Sequence, residues 1–193
     1  AKRIIVEDSV YDTVEQLMQQ KLAALKLGDP AAEDTDVGPI ARQTLRDELH
    51  RQVQTTITEG ADCLLGGELP EGDGYFYPVT LLSNVEPGMC AFTQETFGPV
   101  GVLVRARDEG HALELANDTE YGLAASVWTD TGRGEEMAAA LDTGQVSVNG
   151  IVKTDPRLPS GGTKASGLGR ELGPHGILEF VNAQQVWIGP AKG

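Results

Sequence analysis

The six residues from Gln94 to Pro99 carry the pair of side chains in this sequence that is best suited to bind a small molecule. Glu95 and Phe97 lie two positions apart, with a rigid Gly-Pro turn directly behind them. The Glu95 carboxylate can accept two hydrogen bonds from a sugar diol, and the Phe97 ring offers a flat apolar face to a heterocycle. The alternative is an exposed acid beside a core aromatic, which explains most such hexapeptides.

The segments around this hexapeptide alternate in a way that predicts an α/β fold. Strand-like and helix-like stretches of the second half follow the order β-α-β-α-β, at Val100 to Val104, Glu109 to Asn117, Leu123 to Trp128, Glu135 to Leu141 and Val146 to Asn149. Short spacing of this kind implies right-handed crossovers and helices on both faces of the sheet. We therefore predict a three-layer domain with a mostly parallel, open sheet.

The first half predicts a strand around Ile4, two amphipathic helices and a strand from Cys63 to Leu65. The first helix begins after Asp8 or Ser9 and ends near Gly28. Its apolar face comprises Val10, Val14, Leu17, Met18, Leu22 and Leu25. The second helix is stopped by Gly60, and its apolar residues are Leu45, Leu49, Val53 and Ile57.

The last third of the chain contains a long segment, Gly150 to Gly173, in which no hydrophobic period survives. Long ordered loops at the ends of parallel strands usually carry function. The stretch from Ile177 to Ile188 alternates enough to predict a last strand after a short helical turn. These patterns divide the chain into a domain at residues 1–175 and a strand with its tail at residues 176–193.

Composition excludes several classes of partner. The chain has 193 residues, 29 acidic against 15 basic side chains and a net charge of -14, which disfavours nucleic acid and anionic membranes as partners. No run approaches the ~20 apolar residues of a membrane span, and no leader-like segment is recognised. Cys63 and Cys90 are predicted to be reduced thiols of a cytoplasmic protein.

The remaining polar motifs do not form a catalytic or metal-binding set. Ser166 lacks the Gly-x-Ser-x-Gly elbow of hydrolases, and Gly161 to Lys164 lacks the Gly-Lys-Ser/Thr ending of a phosphate-binding loop. No basic side chain adjoins Cys90 to lower the pKa of its thiol, so we predict a passive thiol. The histidines, His50, His111 and His175, are too scattered to predict a metal site.

Four segments, in order along the chain, resemble motifs of the aldehyde dehydrogenase superfamily. They are Gln94 to Pro99 (Glu-x-Phe-Gly-Pro), Ala116 to Ala124 (Ala-Asn-x-x-x-Tyr-Gly-Leu-Ala), Val146 to Gly150 (Val-x-Val-Asn) and Pro159 to Glu171 (Pro-Phe-Gly-Gly-x-Lys-x-Ser-Gly-x-Gly-Arg-Glu). Within that superfamily, three further segments look most like bacterial NAD-preferring succinate-semialdehyde dehydrogenases. These are Leu27 to Pro30, Gly38 to Arg42 and Leu45 to His50.

The resemblance implies that the chain is the C-terminal part of an enzyme that oxidises an aldehyde with NAD or NADP. It implies that Glu95 hydrogen-bonds the nicotinamide ribose and that Phe97 lies against the nicotinamide region. The family's nucleophile belongs to a Gly-Gln-x-Cys segment a few residues before a stretch like Lys2 to Val6, and no catalytic group of the family maps onto this chain. We therefore expect residues 1–175 to be a catalytic-fold domain without the nucleophile segment, and the isolated chain to be inactive.

The same resemblance places Thr154 and Ser160 along an aldehyde tunnel. Ser160 stands where Phe is common, which would leave a roomier and more polar pocket, and an ordinary loop serine is an equal alternative. Arg157 is a local candidate for recognising a substrate carboxylate, with a plain surface arginine as the alternative. The resemblance also implies that Glu179 to Ile188 joins the sheet of a neighbouring subunit in a homo-oligomer. A stand-alone, non-catalytic interaction domain derived from a dehydrogenase remains a second possibility, as does a product of proteolysis.

Overall fold

The structure is a computed structural model, and it describes residues 2–190. The chain divides into two compact units, Ala1–Asp118 and Thr119–Gly193. The first unit contains β1 (Arg3–Glu7), α1 (Asp8–Ala23), α2 (Gln43–Thr58), β2 (Asp62–Leu65), β3 (Thr80–Ser83), α3 (Cys90–Thr93), β4 (Val100–Ala106) and α4 (Glu109–Asn117). The second unit contains β5 (Tyr121–Gly122), β6 (Ala124–Val127), α5 (Thr131–Ala140), β7 (Gln145–Val148), β8 (Thr163–Lys164) and α6 (Gly173–Leu178).

The first unit is built on a four-stranded sheet in the order β1-β4-β3-β2. The β1–β4 and β3–β4 pairs are parallel, and only the β2–β3 pair is antiparallel. Val102, Leu103 and Val104 of the central strand β4 are all buried, as expected for a strand covered on both faces. The predicted α/β class and the mostly parallel sheet are confirmed.

Helices cover both faces of this sheet, because successive side chains of each strand point to opposite sides. On one face, Leu81 and Leu103 pack with Tyr11 of α1. On the other face, the buried cluster is formed by α2, α3 and α4 with the neighbouring strand residues. Its largest members are Leu49, Val53, Tyr77, Leu82, Phe92, Val102, Val104 and Leu115. The first unit therefore has three layers, with the Glu95 hexapeptide on the chain between α3 and β4.

The buried face of α1 matches the predicted one in part, since Val14, Met18 and Leu22 pack against the sheet as predicted. Val10 and Leu17 are each 50% exposed, whereas Tyr11 is 1% exposed and forms the centre of the contact. Tyr11 can be buried because its hydroxyl lies 3.2 Å from Ser83 Oγ and accepts the Asn84 N–H at 3.2 Å. The helix also ends at Ala23, earlier than predicted.

The second helix follows its predicted pattern. Leu49 and Val53 of α2 are buried, and the helix ends just before Gly60, whose φ of 116° lies in the region that favours glycine. The short helix α3 was not predicted. Its four residues fall below the length at which a hydrophobic period can be recognised.

In the second unit, β6 and β7 form a parallel pair and β5 and β8 an antiparallel pair. The predicted alternation of strands and helices is present from β4 to β7. Its strands do not share one ladder within residues 2–190, since β4 pairs with β1 and β3 while β6 pairs with β7. Sequence alternation indicates the type of each element, but strand partners are chosen by long-range packing.

The C-terminal segment is not a strand within the part of the chain that the structure describes. Ile177 and Leu178 end α6, and residues 182–190 donate or accept no backbone hydrogen bond from other described residues. A strand needs a neighbouring strand, so the prediction of one at Ile177 to Ile188 is wrong for the chain by itself. Its role between subunits stays a prediction. No helix within residues 2–190 is long and apolar enough to span a membrane.

Candidate functional site

The loop between α3 and β4 presents Glu95 and Phe97 outward. Phe97 is 74% exposed and Glu95 is exposed, while Thr96 between them is only 7% exposed. This alternation turns the carboxylate and the ring away from the protein core together. The geometry therefore excludes the alternative in which Phe97 is a core aromatic.

The Glu95 carboxylate is open to a ligand, because no described residue donates a hydrogen bond to it or forms an ion pair with it. An unpaired carboxylate can accept two hydroxyl hydrogen bonds, and an exposed phenyl ring can cover an apolar or aromatic group. The two side chains thus fit a ligand that carries a diol next to a flat ring. A nicotinamide riboside has this character.

The backbone of this loop is fixed against the sheet and against α2. Gly98 lies so close to α2 that a Cβ atom there would be 2.4 Å from Leu49 Cδ2. The next residue, Pro99, accepts a 2.9 Å hydrogen bond from the Thr80 N–H of β3. The positions of Glu95 and Phe97 are therefore set by secondary structure on both sides of the loop.

Side chains of α2, and of Glu59 directly after it, also contact this segment, although the sequence patterns did not single them out. Gln52 donates to the main-chain oxygen of Glu95, and Thr56 and Glu59 accept hydrogen bonds from main-chain N–H groups at the start of α3. These residues are spaced four and then three positions apart, beside the apolar stripe of a helix. That spacing is the only feature of the sequence that could have indicated a shared contact surface.

The basic start of β1 is tied to the same region. The Arg3 guanidinium donates to the carbonyls of Leu115 (2.8 Å), Ala116 (2.9 Å) and Asp118 (3.0 Å) at the end of α4. It also lies over the Phe92 ring of α3, 4.8 Å from the ring centroid. Burial lowers the pKa of Arg3, and the nearby Asp118 charge opposes that shift. This residue caps a helix and joins three elements.

Neither thiol of the chain is activated as a nucleophile. Burial is the main cause that raises the pKa of the Cys90 thiol, with a smaller opposite effect from Arg51. Burial likewise raises the pKa of the Cys63 thiol. Both groups are therefore protonated at neutral pH, and a protonated thiol is a poor nucleophile. No group of three or more metal-binding side chains occurs among residues 2–190.

In the second unit, the two motif segments around Tyr121 and Lys164 pack directly on each other. β5 and β8 pair Gly122 with Thr163, and the Gly122 N–H donates to Ser166 Oγ at 3.0 Å. A Cβ atom at Gly122 would lie 2.1 Å from Thr163 Oγ1, so only glycine allows this approach. The segment from Gly150 to Gly173 is largely irregular, as predicted, and this pairing orders its centre.

Lys164 contributes to this packing. Its ammonium lies 3.1 Å from the Asp142 carboxylate and donates to the Thr119 carbonyl at 3.3 Å. Asn149, at the end of β7, has a similar local role. Its amide accepts from the Thr129 N–H at 3.0 Å and donates to the Thr129 carbonyl at 2.7 Å. These polar residues hold the loops of the second unit in place.

The two residues predicted to line an aldehyde tunnel lie in the irregular segment of the second unit. Thr154 is exposed. Ser160 is half-buried, and its backbone exchanges two hydrogen bonds with Glu171, at 2.8 and 2.7 Å. Arg157 is paired with Asp155 through hydrogen bonds of 2.9 and 2.6 Å, which raise the pKa of the guanidinium. Arg157 is thus engaged locally, whereas no described residue accepts or donates a hydrogen bond at the Ser160 hydroxyl.

The elements described above define a mixed α/β protein, and comparison with known proteins identifies its family. The model of the aldehyde dehydrogenase family matches residues 1–186, and the chain belongs to that family. The family prediction is confirmed.

The similar proteins include named dehydrogenases. The chain is 49% identical to the succinate semialdehyde dehydrogenase NAD(P)+ Sad of Escherichia coli (strain K12), over 97% of this chain and 41% of that protein. It is 42% identical to the succinate-semialdehyde dehydrogenase NADP(+) of Mycobacterium avium (strain 104), over 100% of this chain and 41% of that protein.

A solved structure, succinic semialdehyde dehydrogenase from Streptococcus pyogenes in complex with NADP+ as the cofactor, superposes with a TM-score of 0.92 and 32% identity. The match covers 97% of this chain and 42% of that one. The chain thus spans about 41% of the length of these relatives.

Proposed function

We propose that this chain is the C-terminal part of an NAD(P)-dependent aldehyde dehydrogenase whose substrate is succinate semialdehyde. Family membership and the names of the Escherichia coli and Mycobacterium avium relatives support the reaction and the substrate. In this reaction an aldehyde and water become a carboxylate, while NAD(P)+ accepts the hydride and two protons are released.

Within this chain, Glu95 and Phe97 contact the nicotinamide half of the cofactor. The observation that carries this assignment is the outward alternation around buried Thr96, which leaves the carboxylate without a protein partner. The carboxylate binds the ribose hydroxyls and the ring covers the nicotinamide, so both side chains orient the cofactor. The cofactor, when bound, supplies the hydride acceptor.

The nucleophile of the reaction lies outside these 193 residues. Aldehyde oxidation through a covalent intermediate needs a thiolate, an oxyanion hole and a general base. Desolvation raises the pKa of the Cys63 and Cys90 thiols, so neither is the activated thiolate that the reaction needs. The whole protein supplies these groups, and the 193-residue chain alone does not turn over.

Thr154 and Ser160 contribute hydroxyl groups to the aldehyde tunnel. The unbonded Ser160 hydroxyl supports this, since it can hydrogen-bond a polar substrate. Arg157 is not assigned to the substrate carboxylate, because its guanidinium is already paired with Asp155. The carboxylate of succinate semialdehyde is therefore recognised mainly by groups of the whole protein outside this chain.

Self-association through residues 179–188 is the second part of the proposal. Phe180, Trp187 and Ile188 are largely exposed, with Trp187 at 81%, and the backbone from residue 182 onward is unpaired within the described chain. An apolar segment with free N–H and C=O groups is suited to add a strand to a neighbouring sheet. A second copy of the protein is the partner that we propose.

The experiment measures reduced nicotinamide formed from succinate semialdehyde by the whole protein and by the 193-residue chain. We expect turnover by the first and none by the second. Glu95→Gln keeps the shape of the side chain but removes its charge, so the cofactor KM should rise about tenfold. Glu86→Gln, at an exposed acid of the same unit, is the matched control and should change nothing.

Two outcomes would contradict the proposal. An unchanged cofactor KM for Glu95→Gln would remove Glu95 from the cofactor site. The interaction-domain alternative would be supported instead if cells made these 193 residues as a separate protein. That protein would have to fold, show no dehydrogenase activity and bind another protein.

A further inference from the structure

Helix α2 carries two buried polar side chains, Gln52 and Thr56, beside its apolar stripe, and an exposed acid, Glu59, follows the helix. Gln52 is 7% exposed and Thr56 is fully buried. With Glu59, directly after the helix, they are spaced by four and three residues and therefore form a row along one side of the helix. Burying polar groups is unfavourable unless each is hydrogen-bonded, so the partners of these side chains explain why they are there.

Each of the three side chains forms a hydrogen bond with the segment from Cys90 to Glu95. Gln52 Nε2 donates to the Glu95 main-chain oxygen at 3.2 Å and to Gln94 Oε1 at 3.3 Å. Gln94 Oε1 also accepts from Arg51 at 3.4 Å. The row thus reaches the main chain of Glu95 itself, while the Glu95 side chain stays outside the row.

The other two side chains hold the beginning of the same segment. Thr56 Oγ1 accepts the Ala91 N–H at 3.0 Å and donates to the Gln52 carbonyl at 2.7 Å. Glu59 Oε2 accepts the Cys90 N–H at 2.7 Å. Because α3 has only four residues, it cannot satisfy these N–H groups internally, and a single helical turn is not stable alone.

The contacts follow a regular order, in which residues later in the sequence of α2, and Glu59 after it, contact residues earlier in the segment from Cys90 to Glu95. Gln52 holds Glu95, Thr56 holds Ala91 and Glu59 holds Cys90. Leu49, one turn earlier on α2, contacts the far side of the loop at Gly98. One helix therefore fixes the chain immediately before and after the exposed carboxylate.

We propose that Gln52, supported by Thr56 and Glu59, is a positioning residue for cofactor binding by Glu95. It touches no ligand and acts through the main chain of Glu95, so that the carboxylate is held where the ribose hydroxyls arrive. This inference rests on the cofactor role proposed above for Glu95.

The test compares Gln52→Met and Gln54→Met in the whole dehydrogenase. Met has the length of Gln but no donor, so the Gln52 variant releases the Glu95 main chain. We expect its cofactor KM to rise about tenfold, with the aldehyde KM within twofold of wild type. Gln54, on the same helix, donates instead to the Gly67 carbonyl at 2.8 Å, and its variant should leave the cofactor KM unchanged.

Thr56 provides a rescue experiment. Thr56→Val removes the hydroxyl that bonds Ala91 and should raise the cofactor KM. Thr56→Ser keeps that hydroxyl and should bring the cofactor KM most of the way back to the wild-type value. Equal effects of Val and Ser would mean that the methyl group matters and the hydrogen bond does not, which would contradict the proposal.

Hydrogen exchange in the 193-residue chain gives a second readout that needs no cofactor. Gln52→Met should speed exchange in the peptide that spans residues 90–98 at least about fivefold, and Gln54→Met should affect only the region around Gly67. Unchanged exchange in residues 90–98 would overturn the proposal.

Glu95→Gln, measured beside these variants, separates the two proposals. If it raises the cofactor KM and Gln52→Met does not, the positioning role is wrong and the cofactor site stands. If Glu95→Gln leaves the cofactor KM unchanged, both proposals fall. If Gln52→Met and Gln54→Met raise the KM of cofactor and aldehyde alike, Gln52 is a structural residue only.

Discussion

Gly98→Ala tests whether the Glu95 loop is fixed by its contact with α2. The added Cβ would lie 2.4 Å from Leu49 Cδ2, more than 1 Å inside the roughly 3.5 Å at which carbon atoms normally meet. Leu49 is 1% exposed and cannot swing aside into solvent. Overpacking of this kind costs about 1 to 3 kcal/mol, and about 2 kcal/mol would lower the Tm by roughly 4 to 8 °C.

The assay is a double-mutant cycle measured by urea unfolding. Leu49→Val removes both Cδ atoms and adds a second Cγ, and this net loss of one buried carbon costs about 1 kcal/mol alone. In that background Gly98→Ala should cost less than about 0.5 kcal/mol, which gives a coupling energy near 1.5 kcal/mol. Gly110→Ala, near the start of α4, is the control and should be neutral or slightly stabilising.

Additive costs for the two substitutions would refute this reasoning, because they would show that Leu49 does not set the position of Gly98. A change in the slope of the unfolding transition would also complicate the cycle, since it indicates a change in the surface exposed on unfolding. A loop displaced by Gly98→Ala should also carry Glu95 with it and raise the cofactor KM in the whole protein.

Three further predictions concern other parts of the chain. Arg3→Met removes three hydrogen bonds at the end of α4, so urea unfolding should show a free energy of unfolding lower by about 2 to 4 kcal/mol. The control is Arg107→Met, at an exposed arginine, which should cost less than about 0.5 kcal/mol. Since desolvation raises the pKa of the Cys63 and Cys90 thiols, iodoacetamide should modify both more slowly than free cysteine at pH 7, and their rates should still rise with pH above the ordinary thiol pKa of about 8.5, where the rate for free cysteine levels off; faster modification at pH 7 in either single Cys→Ser variant would contradict this. Val186→Pro should weaken self-association, measured by light scattering, because proline cannot donate a hydrogen bond to a neighbouring strand. The free energy of unfolding should not change, since residues 182–190 make no backbone hydrogen bonds within the described chain. Unaltered association would argue for a different interface.

Local patterns in the sequence were sufficient for the elements with a clear period. The spacing of apolar residues places α2 and α4 within a residue or two of their observed bounds. The continuous apolar run of β4 identifies a buried strand. The Glu95 hexapeptide was a candidate site from sequence alone, because an acid and an aromatic two positions apart beside a Gly-Pro turn are visible without any tertiary information, and the exposure of both side chains agrees with that hypothesis.

Features that depend on distant contacts could not be predicted in this way. Tyr11 is buried in place of Val10 because Ser83 and Asn84, far along the chain, satisfy its hydroxyl. Gln52 is buried because it meets the main chain of Glu95, which no spacing along α2 reveals. The pairing partner of each strand could likewise not be predicted, because the hydrophobic period identifies a strand or helix but not the element that it packs against.

The central place of β4 has a consequence for how the first unit forms during synthesis. β4 is paired on one side with β1, at the start of the chain, and on the other with β3. Neither parallel pair can exist until residue 106 has left the ribosome, about 5 to 20 s after the start of this segment at typical elongation rates. During that interval Tyr11 and the apolar face of α1 have no sheet to cover them. The nascent chain therefore passes through a stage in which the apolar face of α1 lacks the strand that covers it in the folded unit.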